Sequence, residues 1–269
     1  MYPQTFYTVK DKIIQLVQQF RIKLSNKSHP QGRPLKIEPI DALTLAVYQH
    51  TSTRATKKSV YDDFKSSLDC SYKTLVESIN RMGVIVMKIL FVIMRIGKRF
   101  AHPVKYTDAT DIPVCLKKNA DSHRTMRGLA TFGHSSKGWY YGIKMTMTRD
   151  AEKRLLGLRF TAPTKSDREI FRSINQDIGG VIIADAGYVS KQLERDMNVE
   201  GWRWIMIRPL KSMRRIATWW QEKLYRSRFQ IEFDFRSMKL FHGLITSLPR
   251  SVNGYIANYL HAVFSFVIA

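Results

Sequence analysis

Residues 181–190 read VIIADAGYVS. Four apolar residues, three of them β-branched, lead to Asp185 and an Ala-Gly turn, and a helical pattern takes over across 190–197. That is the signature of a short buried strand followed by a turn and a helix. Working outward, residues 104–108, 139–148, 155–161 and 202–207 are further short runs rich in β-branched and aromatic residues. Helical patterns fill 166–176, 218–239 and 253–268. Three strands in succession, then strands alternating with helices, predict an α/β fold with a mixed five-stranded sheet flanked by helices.

Upstream of His102-Pro103 the text is helical. Residues 9–24 carry apolar side chains at about 3.6 spacing, Pro30 and Pro34 interrupt the pattern, and 42–50 resume it. Residues 58–68 and 71–82 read as two helices joined at Asp69-Cys70, with Ser71 able to cap the second. A helix-turn-helix here would present Lys73, Ser78, Asn80 and Arg81 to DNA, whereas ordinary helix packing explains the same pattern. The expected division is an all-helical N-terminal domain over 1–102, a candidate for binding DNA ends, and an α/β domain over 103–269.

The 44 Lys and Arg outnumber the 22 Asp and Glu, for a formal net charge of +22. A folded surface so charged repels itself unless a polyanion relieves it, and nucleic acid is the commonest such partner. With 44% hydrophobic residues the chain is too apolar to be a disordered basic tail. Cys70 and Cys115 stand far apart and form no C-x-x-C pair, which suggests neither a disulfide framework nor a thiolate zinc site and suits a reducing cytoplasm. The apolar run at 84–96 contains Lys88 and is shorter than the roughly 20 residues needed to cross a bilayer. It reads as a buried helix, 255–269 as a helix packed on a core, and no membrane role is expected.

Acidic residues are scarce, so their positions carry information. Asp108 ends the first strand run and Asp185 the fourth. Carboxylates at the carboxyl ends of neighbouring strands point into one crevice, and a divalent metal gives such a cluster a reason in a basic protein. A third candidate stands in residues 224–240, LYRSRFQIEFDFRSMKL. Counting from Tyr225, Arg228 is three residues on, Glu232 seven and Lys239 fourteen. At about 100° per residue these four lie within roughly 60° of arc on one helix face. Phe229, Phe233 and Leu240 flank the stripe as a seam able to dock the helix. Asp234, about 200° from Glu232, reads as solvated or ion-paired. Asp111 would point to the opposite face from Asp108. Asp167 fits a helix start capped by Ser166, with a place near the site as the alternative. Gly187 reads as the residue that lets the chain turn after the strand, and Tyr188 as packing beneath that turn, with stacking near a flipped base as the alternative. The cations Arg203, Arg208, Lys211, Arg214 and Arg215 interleave with Trp202, Trp204, Trp219 and Trp220, a mixture suited to gripping a nucleic-acid backbone.

With these residues in view, the chain resembles the DDE transposases of bacterial insertion sequences. Tyr225-x2-Arg228-x3-Glu232-x6-Lys239 matches that family's YREK motif at all four positions, and Asp185-Ala-Gly-Tyr188 its D-x-G-Y/F element. Asp108 is similar to its first aspartate, and Gly138-Trp-Tyr-Tyr-Gly-Ile-Lys144 to the aromatic strand that follows. The resemblance covers roughly residues 104–269 and implies a ribonuclease H-like catalytic domain. It also implies that Asp108, Asp185 and Glu232 hold two Mg²⁺ ions, with Mn²⁺ able to substitute, and that Tyr225, Arg228 and Lys239 contact DNA. Magnesium prefers hard oxygen ligands, which two aspartates and a glutamate supply. Two ions about 4 Å apart activate a nucleophile and stabilise the leaving 3′ oxygen. The chain ends at Ala269, a few helical turns after the motif, and with triad and stripe complete the expectation is a competent catalyst. The implied partner is double-stranded DNA at element ends and target, bound by a homodimer in the bacterial cytoplasm at the nucleoid. A hydrolytic nuclease and a catalytically dead DNA-binding derivative are the alternatives.

Overall fold

The structure is a computed structural model and describes residues 4–25, 34–52, 54, 56–135, 138–188, 190–201, 203–207 and 218–269. Trp202, Arg208, Lys211, Arg214 and Arg215 of the basic tract lie outside the described residues, as do the side chains of Arg203 and Trp204 and most of the break at 30–34.

The chain forms two compact units, one of Met1–Val92 with Ser237–Ala269, the other of Ile93–Arg236. The helical unit holds α1 (Gln4–Gln19), α2 (Pro39–Thr51), α3 (Lys57–Phe64), the first part of α4 (Tyr72–Arg99) and α9 (Val252–Ile268). Pro39 opens α2, where its missing N–H costs nothing. Thr56 starts α3 with a reciprocal capping box to Ser59. This grouping departs from a boundary at 102/103. The cause is the composition of α9: Tyr255, Tyr259, Leu260, Val263 and Phe264 are all buried, so the helix must be enclosed nearly all round, and it packs on α2, itself buried from Ala42 to His50.

The helix expected to end at Met82 and the run at 84–96 are one continuous 28-residue α4. Ser71 accepts a hydrogen bond from the Thr74 N–H at its start. The run is amphipathic and not wholly buried: Val86, Ile89 and Leu90 are enclosed, while Val84, Met87 and Phe91 face outward. Among the described residues no helix is long and apolar enough to cross a membrane.

The sheet unit contains β1 (Val104–Cys115), β2 (Thr131–Ser135), β3 (Gly138–Asp150), β4 (Leu155–Thr161), β5 (Gly180–Ala184) and β6 (Arg203–Ile207). The order is β2-β3-β1-β5-β6, with β4 also paired to β3. β1, β2, β3 and β4 pair antiparallel, whereas β1, β5 and β6 run parallel, so the sheet is mixed as expected. The five expected strands are present. A sixth, β2, corrects the count: it takes the stretch of β3 next to Gly138–Gly142 that β4 leaves open. Gly142 is needed here, because a Cβ would collide with the Ile112 carbonyl oxygen where β1 bulges near Pro113.

α5 (Asp167–Ile174) and α6 (Lys191–Gly201) contribute to the packing around β5. Phe171, Ile182, Ala184, Tyr188, Leu193 and Met197 form its buried core, and the Phe171 and Tyr188 rings lie 5.0 Å apart. The packing reading of Tyr188 therefore holds.

The helix expected across 218–239 is two: α7 (Trp219–Arg226) and α8 (Phe229–Phe241). Ser227 breaks it. Its hydroxyl donates to the Leu224 carbonyl and accepts from the Tyr106 hydroxyl at 3.0 Å, so side chain and strand compete with the helix ladder.

Candidate active site

β1 and β5 run side by side with Tyr106 opposite Ile183. Two residues further along each chain stand Asp108 and Asp185, so the parallel register brings both carboxylates to one face at neighbouring positions. β1 does not end at Asp108, as expected, but continues to Cys115. Asp108 sits where β5 stops pairing with it. Asp111, an odd number of residues on, belongs to the other face.

Asp108 Oδ1 accepts from the Ala109 N–H at 2.8 Å, and Oδ2 from Arg228 Nη1 at 3.2 Å. The other guanidinium nitrogen, Nη2, reaches Glu232 Oε1 at 2.6 Å. One arginine thus bridges two of the three candidate carboxylates. Burial above all, with the like charges of Asp185 and Glu232, holds the Asp108 carboxyl up at about 6 against the downward pull of the Ala109 N–H and Arg228. Burial works against the Arg228 charge, but Asp108, Tyr225, Asp185 and Glu232 together outweigh it and hold the guanidinium more firmly protonated. All three carboxylates act on one guanidinium, and two of them touch it. Among the described residues no three His, Cys, Asp or Glu side chains gather closely enough to hold a metal ion. The donor set itself is all hard oxygen, the chemistry a magnesium site requires.

The polar stripe survives the helix break in altered form. Tyr225 belongs to α7, Arg228 to the turn with its charge 5.7 Å from the Tyr225 ring, and Glu232 and Lys239 to α8. The seam expected to dock the helix does the opposite: Phe229, Phe233 and Leu240 are 54%, 63% and 60% exposed. The face turned inward carries Arg228, Ile231, Asp234, Phe235 and Met238, a helical i, i+3, i+7 pattern containing charges. Asp234 is ion-paired, as one reading had it, but buried: its Oδ2 meets Arg149 Nη1 at 2.5 Å. Arg149 stands opposite Tyr106 in the β1–β3 register, stacks 5.9 Å from its ring and also donates to Gln230 at 3.2 Å. Sequence reasoning missed Arg149. Its signal was a cation directly after the neutral run MTMT and before Asp150.

Asp167 opens α5 without a side-chain cap from Ser166. It instead pairs with Lys144 Nζ at 2.5 Å, which also donates to the Lys165 carbonyl. Burial raises the proton affinity of the Tyr188 phenol, and Asp108, Asp167 and Asp185 add to it, so Asp167 shares the neighbourhood of the two strand aspartates. Gly187 lies in a 3₁₀ turn without positive φ, and open space stands where a Cβ would project; the turn does not require glycine. In the helical unit Lys73 is exposed, Ser78 is buried, and Asn80 accepts at 2.5 Å from Lys57 Nζ.

The family described as a transposase DDE domain matches residues 99–250. No curated protein matches the chain. Among solved structures, it is similar to a chain of the piggyBac transposase synaptic complex with hairpin DNA, at 12% identity and a TM-score of 0.43. That match covers 80% of this chain and 51% of the other, so the chain spans about half the length of that relative.

Proposed function

The chain belongs to the transposase DDE family, and from that premise we propose that it is an insertion-sequence transposase that cleaves DNA at element ends and joins the freed 3′ ends to target DNA. The observation carrying this reading is the convergence of Asp108, Asp185 and Glu232 on one guanidinium, with Asp108 and Asp185 in adjacent register. Members of the family generally use divalent metals. Here Asp108, Asp185 and Glu232 would hold two Mg²⁺, or Mn²⁺ in their place. The chemistry such ions supply is activation of the attacking oxygen and stabilisation of the leaving 3′ oxygen. Arg228 already engages two of these carboxylates, so the guanidinium and an incoming ion compete for the same oxygens. Arg228 beside Tyr225 would offset charge on the scissile phosphate, and Lys239 would contact neighbouring phosphates.

A ribonuclease H-like sheet unit as catalyst and a helical unit as reader of DNA ends is the division of labour we propose, with Lys73 contacting DNA directly and Asn80 through the Lys57 it holds. The assembly on DNA is a homodimer, working in the bacterial cytoplasm at the nucleoid.

The test is a duplex carrying the element's own ends, incubated with the protein and Mg²⁺. We expect nicking and strand transfer, both lost by at least roughly 10³-fold in Asp185→Asn and Glu232→Gln, the scale of losing a preorganised electrostatic contact. Parental activity in either variant overturns the assignment, and nicking without transfer reduces the protein to a nuclease.

A further inference from the structure

The helical unit contains a cavity of about 420 Å³ between the start of α3, the first turns of α4 and the start of α9. Lys57, Lys58 and Arg250 line it, and among the described residues no acidic one does. Lys58 is neutralised by Asp62 one turn on. Lys57 is different. Its ammonium is largely taken out of water, which pulls its proton affinity down to about 8, and among the described residues its one hydrogen-bond partner is the neutral Asn80 amide. An ammonium that is desolvated and lacks a counter-charge is an unfavourable arrangement unless something anionic joins it.

Two further observations point the same way. α9 begins at this cavity with Ser251 as its cap and no acidic residue in its first turn, so its positive end and free N–H groups lack an internal anion. Gln49, only 6% exposed, lines the cavity with an Oε1 that has no hydrogen-bond partner. Its amide offers an acceptor there or, turned over, a donor.

We propose that this cavity is an anion site that takes a backbone phosphate of duplex DNA, held by Lys57, Arg250 and the amino end of α9. The inference rests on the reading of the chain as a DNA-acting protein. It supplies that reading with an anchoring point in the helical unit, independent of base sequence and separate from the carboxylates. Asn80 is then a positioning residue that keeps the Lys57 ammonium at the cavity.

The experiment uses the full chain, random-sequence duplex DNA and no divalent metal. Lys57→Gln with Arg250→Gln should flatten the dependence of log affinity on log salt by about two units. Lys153→Gln, an exposed turn lysine of the sheet unit, should leave it unchanged. Lys57→Arg with Arg250→Lys, which keeps both charges, should restore the slope and so separates phosphate contact from misfolding. Inorganic phosphate titrated calorimetrically forms a second arm. If the parent binds phosphate and the Gln variant does not, while the duplex slope stays constant, the cavity takes a free anion and the DNA assignment is wrong. An unchanged slope with no phosphate binding removes the site altogether. Catalysis is read in a separate, metal-containing reaction, so a cavity-dependent slope without nicking breaks the proposed function and leaves the cavity standing.

Discussion

In the sheet unit, the buried arginines meet opposite charges: Arg149 pairs with Asp234, and Arg228 with Asp108 and Glu232, while the buried Lys105 donates to the Pro103 and Gly179 carbonyls. In the helical unit, the buried histidines and Lys57 meet none among the described residues. His261 is fully enclosed with no hydrogen-bond partner on either ring nitrogen, His50 has only the His242 carbonyl, and Lys57 only an amide oxygen. Both patterns take polar atoms out of water, but they stabilise in different ways. A paired charge fixes geometry, because each partner is strongly disfavoured without the other. An unpaired imidazole survives burial by staying neutral, which ties its contribution to pH. The unit meant to hold three carboxylates in register thus has a charge-locked frame, and the unit proposed to receive a polyanion does not.

The sharpest way to break this comparison is at Asp234. Asp234→Ala leaves the Arg149 charge, 3% exposed, without its carboxylate, and should destabilise the sheet unit by about 3–5 kcal/mol in urea unfolding. Replacing the pair together, Arg149→Met with Asp234→Leu, should recover most of that loss. A cost under about 1 kcal/mol for the single change would mean that the pair behaves as a surface ion pair. This reverses the solvated reading of Asp234 from sequence and sharpens the ion-paired one, since the pair is buried.

That reversal shows where the sequence was legible. Strand β5 was readable because an apolar run and a turn are local signals, and the place of Glu232 on a helix because helical spacing is a local rule. The docking face of α8 was not. Phe229, Phe233 and Leu240 looked like the buried side, yet the side turned inward carries Arg228 and Asp234, whose partners come from β1 and β3. Hydrophobicity alone cannot tell a buried charge from an exposed one when its counter-charge is some 85 residues away in the chain. The break at Ser227 escaped for the same reason, since it depends on the Tyr106 hydroxyl. β2 escaped because TFGHS is short and glycine-containing, and pairing with β3 is what makes it a strand. The membership of α9 escaped because a helix apolar on every side says that it is enclosed, not by what.

The second test sharpens the helical side. Burial lowers His50 to about 4, and lowers His261 well below its usual value, with His50 and Lys57 adding to the effect. The sign follows from linkage. Below about 6.5 the unfolded chain takes up protons that the folded imidazoles refuse, so their stabilisation is full above pH 6.5 and is lost as pH falls toward 4. Each such histidine costs up to about 1.4 kcal/mol for each pH unit below 6.5. His261→Leu should make the urea midpoint less sensitive between pH 7.5 and 5.5 than in the parent. Equal sensitivity in the two proteins would show that His261 protonates as readily folded as unfolded.

The smallest effect is expected at Lys239, two turns beyond Glu232 on α8 and past the point where that helix leaves the sheet unit for the helical one. It is half-buried, belongs to neither pattern above, and has a contact of its own within the protein. A phosphate contact from such a side chain adds one released counterion and little else. Lys239→Ala should therefore flatten the salt dependence of duplex binding by about one unit, half the effect expected at the Lys57 and Arg250 cavity, with unfolding unchanged. Lys239→Arg should restore it, because the charge and not the ammonium geometry is what counterion release reads. If the slope holds while stability drops, Lys239 serves its internal contact, and DNA-facing charge on α8 must be sought at the exposed Arg236 instead.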